Sequence, residues 1–306
     1  MVTPPKEERI FAAIGNFDGV HLGHQYLISR LSDLAKSHDA LKAIILFDPH
    51  PRRYFRPDDP PFLLMGTEQR DACLFELDVD QIHALPFDDE MANLSAEEFI
   101  RTIIVEDSGI TGILVGSDFR FGKGRAGDGA FLKKIGAELG IEVVLVDPKA
   151  LEESEGLPAD EKIGSSIIRE AIAKGDIKQA TRMLGRPFAV SGLVETGQKL
   201  GRTIGFPTAN LRLGEIVPPK YGVYAVQAIV NGKSHNGIAN FGRKPTVGTA
   251  EPLLEVHLFD FDQNLYDQEI KVLFLDFIRD EHKFASIEAL KAQITTDCDV
   301  VRALFS

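Results

Sequence analysis

Gly15-Asn16-Phe17-Asp18-Gly19-Val20-His21-Leu22-Gly23-His24 follows an apolar run, Ile10 to Ile14, and leads into a helical pattern from Gly23 to Lys36. A short strand that enters a glycine-rich turn and then a helix leaves unpaired backbone N–H groups at the helix start, where aligned peptide dipoles favour an anion. The turn therefore reads as a phosphate cradle built from Gly15, Phe17, Asp18, Gly19 and Gly23. His21 and His24 are three apart, so both rings can lie on one side of the first helical turn. Imidazole N–H groups there can hydrogen-bond a phosphoryl oxygen as charge builds during transfer. One capping and one packing histidine would explain either ring alone, but two rings framed by three glycines point to function.

Outward from this turn, short β-rich runs alternate with helical patterns. Ile10 to Ile14, Ala43 to Phe47, Gln81 to Leu85, Gly112 to Val115 and Glu142 to Val146 read as strands. Gly23 to Lys36, Thr67 to Leu77, Ser95 to Val105 and Asp128 to Leu139 read as helices, the third opening with a Ser95-x-x-Glu98 capping signal. Such alternation predicts an α/β domain, a parallel sheet with helices on both faces. Ligands of these sheets bind beyond the carboxyl ends of the strands, which is where Gly15 to His24, Phe47 to Pro51 and Gly116 to Gly127 would converge.

After Leu184 the pattern changes. Gly185-Arg186-Pro187 breaks the helical spacing, and β runs such as Phe188 to Val194, Gly222 to Val230 and Glu255 to Phe259 follow, separated by Gly, Pro and Asn. An antiparallel β-barrel is expected, with Asn231-Gly232 as a tight hairpin turn. Ile287, Leu290 and Ile294 share one helix face within Ser286 to Leu304, a terminal helix suited to closing the barrel. The expected domains are residues 1–184 and 185–306.

The composition suits two domains: 306 residues, 44% of them hydrophobic, can bury a large core. Cys73 and Cys298 form no metal-ligand or disulfide pattern, which fits a reducing cytoplasm. The polar opening Met1 to Ile10 lacks an apolar signal core, and no run approaches the roughly 20 apolar residues that span a bilayer. A membrane role is not expected. A net charge of −12 disfavours nucleic acid as a partner yet allows a small anionic ligand held by local cations and a divalent metal.

A second candidate site lies in Gly201-Arg202-Thr203-Ile204-Gly205-Phe206-Pro207-Thr208-Ala209-Asn210. Side chains two apart on an extended segment point the same way, so the Thr208 hydroxyl and the Asn210 amide carbonyl can reach one hard cation such as Mg2+. An Asn turn after proline would also suit Thr-x-Asn, but Gly201, Gly205 and Pro207 specify a more particular loop. Downstream, Glu255-Val256-His257-Leu258 alternates as a strand, with Glu255 and His257 on one face. That face is either solvated or presents a carboxylate that takes the proton from a substrate hydroxyl during phosphoryl transfer.

These residues resemble the bifunctional riboflavin kinase/FMN adenylyltransferases, the prokaryotic FAD synthetases, over nearly the whole chain. The N-terminal likeness runs through Gly15 to His24, Phe47-Asp48-Pro49-His50-Pro51, Gly116 to Gly122 and Ile163-Gly164-Ser165-Ser166-Ile167-Ile168-Arg169. The C-terminal likeness runs through Gly201 to Asn210, Gly222-Val223-Tyr224-Ala225, Asn240 to Thr246 and Glu255 to Leu258. The HxGH turn is shared by many nucleotidyl transferases, whereas GRTIGFPTAN is highly specific. The resemblance implies a Rossmann-like nucleotidyltransferase domain followed by a kinase barrel, with riboflavin, FMN and ATP as substrates. It implies Mg2+ on Thr208 and Asn210, Glu255 as the kinase general base, and His21 and His24 stabilising the adenylyl-transfer transition state. It further implies Asp118 and Arg120 lining the nucleotide and flavin crevice, with Ser165, Ser166 and Arg169 gripping ATP phosphates at the start of a helix through Lys174.

Two positions depart from the family pattern. Gly164 stands where a hydroxyl residue is usual, which predicts weaker triphosphate binding, and Asp267 follows Leu265-Tyr266 where glycine is common. Two other functions suit parts of the sequence: a riboflavin kinase with a weakened adenylyltransferase domain, and a flavin-binding protein without turnover.

Overall fold

The computed structural model describes residues 9–147, 163–197, 200–242 and 252–305. Met1 to Glu8 of the polar opening and Arg243 to Thr246 of the Asn240 motif lie outside the described residues. The chain forms two compact units, one of residues 1–59 and 70–163, the other of residues 60–69 and 164–306.

The first unit is a five-stranded sheet: β1 (Arg9–Ile14), β2 (Ala40–Asp48), β3 (Gln81–Pro86), β4 (Gly112–Gly116) and β5 (Glu142–Val146), in the order β3-β2-β1-β4-β5. Every pair is parallel. Phe11 to Ile14 of β1, Ala43 to Leu46 of β2 and Ile113 to Val115 of β4 are all buried, as continuous apolar strands covered on both faces must be. β1 lies between β2 and β4, so the loops leaving β1 and β4 flank the place where the strand order reverses, the position at which such sheets bind ligands. Helix α1 (Leu22–His38) leaves the β1 loop, and α2 (Gly129–Leu139), N-capped by the Asp128 carboxylate, leads into β5.

One expected helix differs. Ser95 and Glu98 form a reciprocal capping box, but the α-helical turn Ala96–Glu98 opens into a π-helix, Phe99–Asp107. The wider turn brings residues four or five apart onto one face, and Phe99, Ile100 and Ile104 are buried together in the sheet's core.

In the second unit, six strands pair antiparallel in the order β6-β11-β8-β9-β10-β7: β6 (Phe188–Leu193), β7 (Ala209–Leu211), β8 (Gly222–Val230), β9 (Lys233–Gly242), β10 (Leu253–Leu258) and β11 (Glu269–Asp280). Two register shifts in β11, at Phe274/Asp276 and Phe277/Arg279, curl the sheet. Just past β6, Glu195 N–H donates to the Asn210 carbonyl of β7 at 2.9 Å, an antiparallel bridge between the two edges. Asn231 (φ 48°) and Gly232 (φ 74°) make the two-residue turn between β8 and β9. Asp267 takes φ 61°, the left-handed backbone glycine would adopt, so the turn keeps that geometry without the glycine. Helices α3 (Ser165–Lys174) and α4 (Ile177–Leu184) precede the barrel. α4 packs against β6 and β11, and Phe62 N–H and Leu63 N–H donate to the Glu215 carbonyl. The terminal helix α5 (Ile287–Leu304), N-capped by Ser286, buries Cys298 and Val301 against Val223, Ala225 and Ile238.

Candidate functional site

The turn after β1 is strained at two residues that are not glycine: Phe17 has φ 50° and Val20 has φ 36°. A β-branched residue at positive φ persists only where its surroundings hold it, and such positions cluster at functional sites. Phe17 and Val20 are both buried, and Gly19 at φ 88° completes the turn. Asp18 is buried as well.

His21 is the N-cap of α1, its Nδ1 accepting from His24 N–H at 3.4 Å. Because Nδ1 supplies the lone pair, the proton of the neutral ring is on Nε2. The two imidazoles stack with centroids 3.7 Å apart and planes within 17°, and the His24 ring lies 5.0 Å from that of Phe17. His21 thus caps and His24 packs, and both are held together at the helix entry. After β4, the Asp118 carboxylate folds back over Gly116, its Oδ1 lying 2.9 Å from where a Cβ would be. Arg120 is paired with Asp128 at 3.0 Å.

Ser165, Ser166 and Arg169 belong to the second unit. Gly164 is the extended N-cap of α3 and supplies no side-chain cap, so Ser165 and Ser166 open a helix whose first N–H groups have no capping hydroxyl from Gly164. Arg169 Nε donates to the Phe62 carbonyl at 2.6 Å, and its guanidinium covers the Phe62 ring at 5.6 Å.

The barrel holds a cavity of about 980 Å³ whose lining includes Gly201, Phe206, Thr208, Asn210, Asn240 and Glu255. Gly201, Phe206, Pro207, Thr208, Asn210 and Glu255, six of the sequence candidates, meet at this cavity; Gly205 (φ 93°) turns the same loop. Strand register explains the meeting: Glu255 on β10 is opposite Asn210 on β7 and opposite Asn240 on β9. Directly opposed residues share a face with Cβ atoms about 4.5–5.5 Å apart. Asn240, named in sequence only as part of a motif, thus joins this row through pairing between β9 and β10, which residue spacing alone does not reveal. His257, two residues along β10, donates from Nδ1 to the Pro207 carbonyl at 2.9 Å. Burial holds its imidazole below the usual histidine value, with that carbonyl acting the other way.

Asn210 is 4% exposed, and among the described residues its Oδ1 has no hydrogen-bond partner. A buried acceptor left unmatched is costly unless something fills it. With the Thr208 hydroxyl two residues away, the donors are neutral hard oxygens, which suit Mg2+ supplemented by phosphate oxygens and water. Gly197 leaves room for this amide, since a Cβ there would come 2.4 Å from Asn210 Nδ2.

The FAD synthetase family model matches residues 3–156 and the riboflavin kinase model residues 184–305. The bifunctional riboflavin kinase/FMN adenylyltransferase of Pseudomonas fluorescens is 40% identical over 98% of this chain and 94% of its own. The chain belongs to the bifunctional riboflavin kinase/FMN adenylyltransferase family. Members so named from Haemophilus influenzae, 40% identical over 96% of this chain and 93% of their own, and from Escherichia coli K12, 39% over 98% and 94%, are similarly close. A crystal structure titled as a macrolide-efflux protein from Streptococcus pneumoniae shares the fold, with a TM-score of 0.85 and 32% identity over 97% of this chain and 95% of that one. Among the described residues, no helix is long and apolar enough to cross a membrane. With both domains present in one member of this family, the chain is an enzyme of two activities rather than a kinase alone or a passive flavin binder.

Proposed function

We propose that residues 1–184 carry adenylyl transfer and residues 185–306 carry riboflavin phosphorylation, each at its own site. In the barrel, Glu255 accepts the proton of the ribityl 5′-hydroxyl as that oxygen attacks the γ-phosphorus of ATP, and ADP leaves. Thr208 and Asn210 hold Mg2+, which when bound screens the phosphate charge, while Gly201, Gly205, Phe206 and Pro207 shape the loop around the nucleotide. The observation that carries this assignment is the buried Asn210 Oδ1, unmatched among the described residues and directly across the strand pair from Glu255.

In the second reaction a phosphate oxygen of FMN attacks the α-phosphorus of another ATP, and pyrophosphate leaves with FAD as product. The turn Gly15 to Gly23 receives the phosphates, and His21, through Nε2–H, and His24 stabilise the charge that builds on the α-phosphoryl oxygens. Asp118 and Arg120 serve nucleotide binding in the same proposal; Ser165, Ser166 and Arg169, which belong to the second unit, are proposed to hold ATP phosphates at the start of α3. A cytoplasmic location fits the use of ATP and the two free buried thiols, of which Cys298 is pushed up to about 11 by burial and by Asp297 beside it.

Position-labelled ATP tests the scheme. With riboflavin, Mg2+ and ATP labelled at the γ-phosphorus, label is expected in FMN and then in FAD; with ATP labelled at the α-phosphorus, in FAD and not in FMN. Label from the α-phosphorus in FMN, or unlabelled FAD in both arms, would overturn it.

A further inference from the structure

The backbone ladder that holds the Thr208–Asn210 segment is short. β7 pairs with β10 at Leu211–Leu254, Asn210–Glu255 and Ala209–Val256. Continuing that register would set Thr208 opposite His257, but the preceding Pro207 has no N–H to contribute to a ladder. A side chain takes over at this point. The Pro207 carbonyl accepts from His257 Nδ1 at 2.9 Å, and since a carbonyl only accepts, Nδ1 carries the proton. The His257 ring also meets Phe206 edge-on, with centroids 5.5 Å apart.

The other side of the segment is held by backbone. Phe206 N–H donates to the Gly201 carbonyl at 2.8 Å, and a Cβ at Gly201 would come 2.3 Å from the Phe206 carbonyl oxygen. The Phe206–Pro207 step is thus clamped between Gly201 and His257, immediately before the two oxygens that face the cavity. Mg2+ demands near-ideal octahedral geometry at about 2.0–2.1 Å, so small displacements of its ligands weaken binding.

We propose that His257 is a positioning residue of the kinase site. Its bond to the Pro207 carbonyl holds the Thr208 hydroxyl and the Asn210 amide oxygen at the spacing a small divalent cation requires, and so sets cation affinity. The inference rests on the assignment of Thr208 and Asn210 to that cation, and the experiment separates the two.

Mn2+ serves as the probe, its binding to full-length protein with ADP read by electron paramagnetic resonance. Asn210→Ala is expected to remove one class of Mn2+ sites. His257→Leu is expected to weaken that same class by about fivefold, the scale of one lost hydrogen bond. Asparagine can place its amide Nδ2 where the imidazole Nδ1 was, so His257→Asn should bind within about twofold of wild type, a change well below one hydrogen bond. FMN adenylylation should be unchanged in all three variants. Should His257→Leu lose that activity through misfolding, His257→Met, which fills the space with a flexible apolar chain, takes its place and must show the same weakening. Wild-type Mn2+ affinity in the leucine or methionine variant would overturn the positioning role, as would failure of asparagine to restore it. If Asn210→Ala left Mn2+ binding intact, the cation assignment itself would fall instead.

Discussion

Replacing Glu255 with glutamine is expected to lower riboflavin phosphorylation by about 10²- to 10⁴-fold, the usual contribution of a positioned general base. FMN adenylylation should continue at the wild-type rate. Glutamine keeps the shape of the side chain and its place on β10 opposite Asn210 and Asn240, but it cannot take up a proton. The loss should fall on kcat, since a proton acceptor acts as the substrate hydroxyl attacks, and the KM for ATP should change little. Measuring FMN formed from riboflavin, and FAD formed from added FMN, reads both effects on one preparation. A parallel fall in the two steps would show that Glu255 supports the fold rather than the chemistry.

The second large effect is the converse. Removing both imidazoles as His21→Asn with His24→Ala is expected to slow FAD formation from FMN by about 10²- to 10³-fold, the scale of losing a preorganised transition-state donor. Riboflavin phosphorylation should be spared. Asparagine is chosen at position 21 because its carbonyl oxygen can still cap α1, a bond whose loss costs about 1 kcal/mol. Thermal unfolding should therefore stay close to wild type while adenylylation collapses. Retention of more than about a tenth of the wild-type rate would be far from that scale and would remove the histidines from the mechanism.

Much of this was legible in the sequence, for identifiable physical reasons. The central strands β1, β2 and β4 of the first unit are apolar runs buried on both faces, so each announces itself without reference to its neighbours. Asn231-Gly232 marked its hairpin because both residues tolerate positive φ. The terminal helix began at Ser286, whose hydroxyl caps it. What escaped depends on pairing rather than on local pattern. β9 opens with the polar residues Lys233, Ser234, His235 and Asn236 and carries a glycine at 237, and β7 is three residues long, so neither shows a strand periodicity of its own. The row Asn210–Glu255–Asn240 exists because those strands lie beside β10, and the π-helical turn at Phe99 depends on what the core accepts. The strain at Phe17 and Val20 is likewise a property of the folded turn, invisible in its composition.

The proposed assignment of the two reactions to separate sites makes a direct demand, because the product of the barrel would then have to leave it and serve as substrate for the other domain. Mixing the Glu255→Gln protein with the His21→Asn, His24→Ala protein, and supplying riboflavin, ATP and Mg2+, puts this to the test. The first variant alone should yield FMN and FAD only at its residual phosphorylation rate, the second should accumulate FMN, and the mixture should produce FAD at a rate set by the two intact sites. A mixture that makes FMN but no FAD, with each variant folded, would contradict the account.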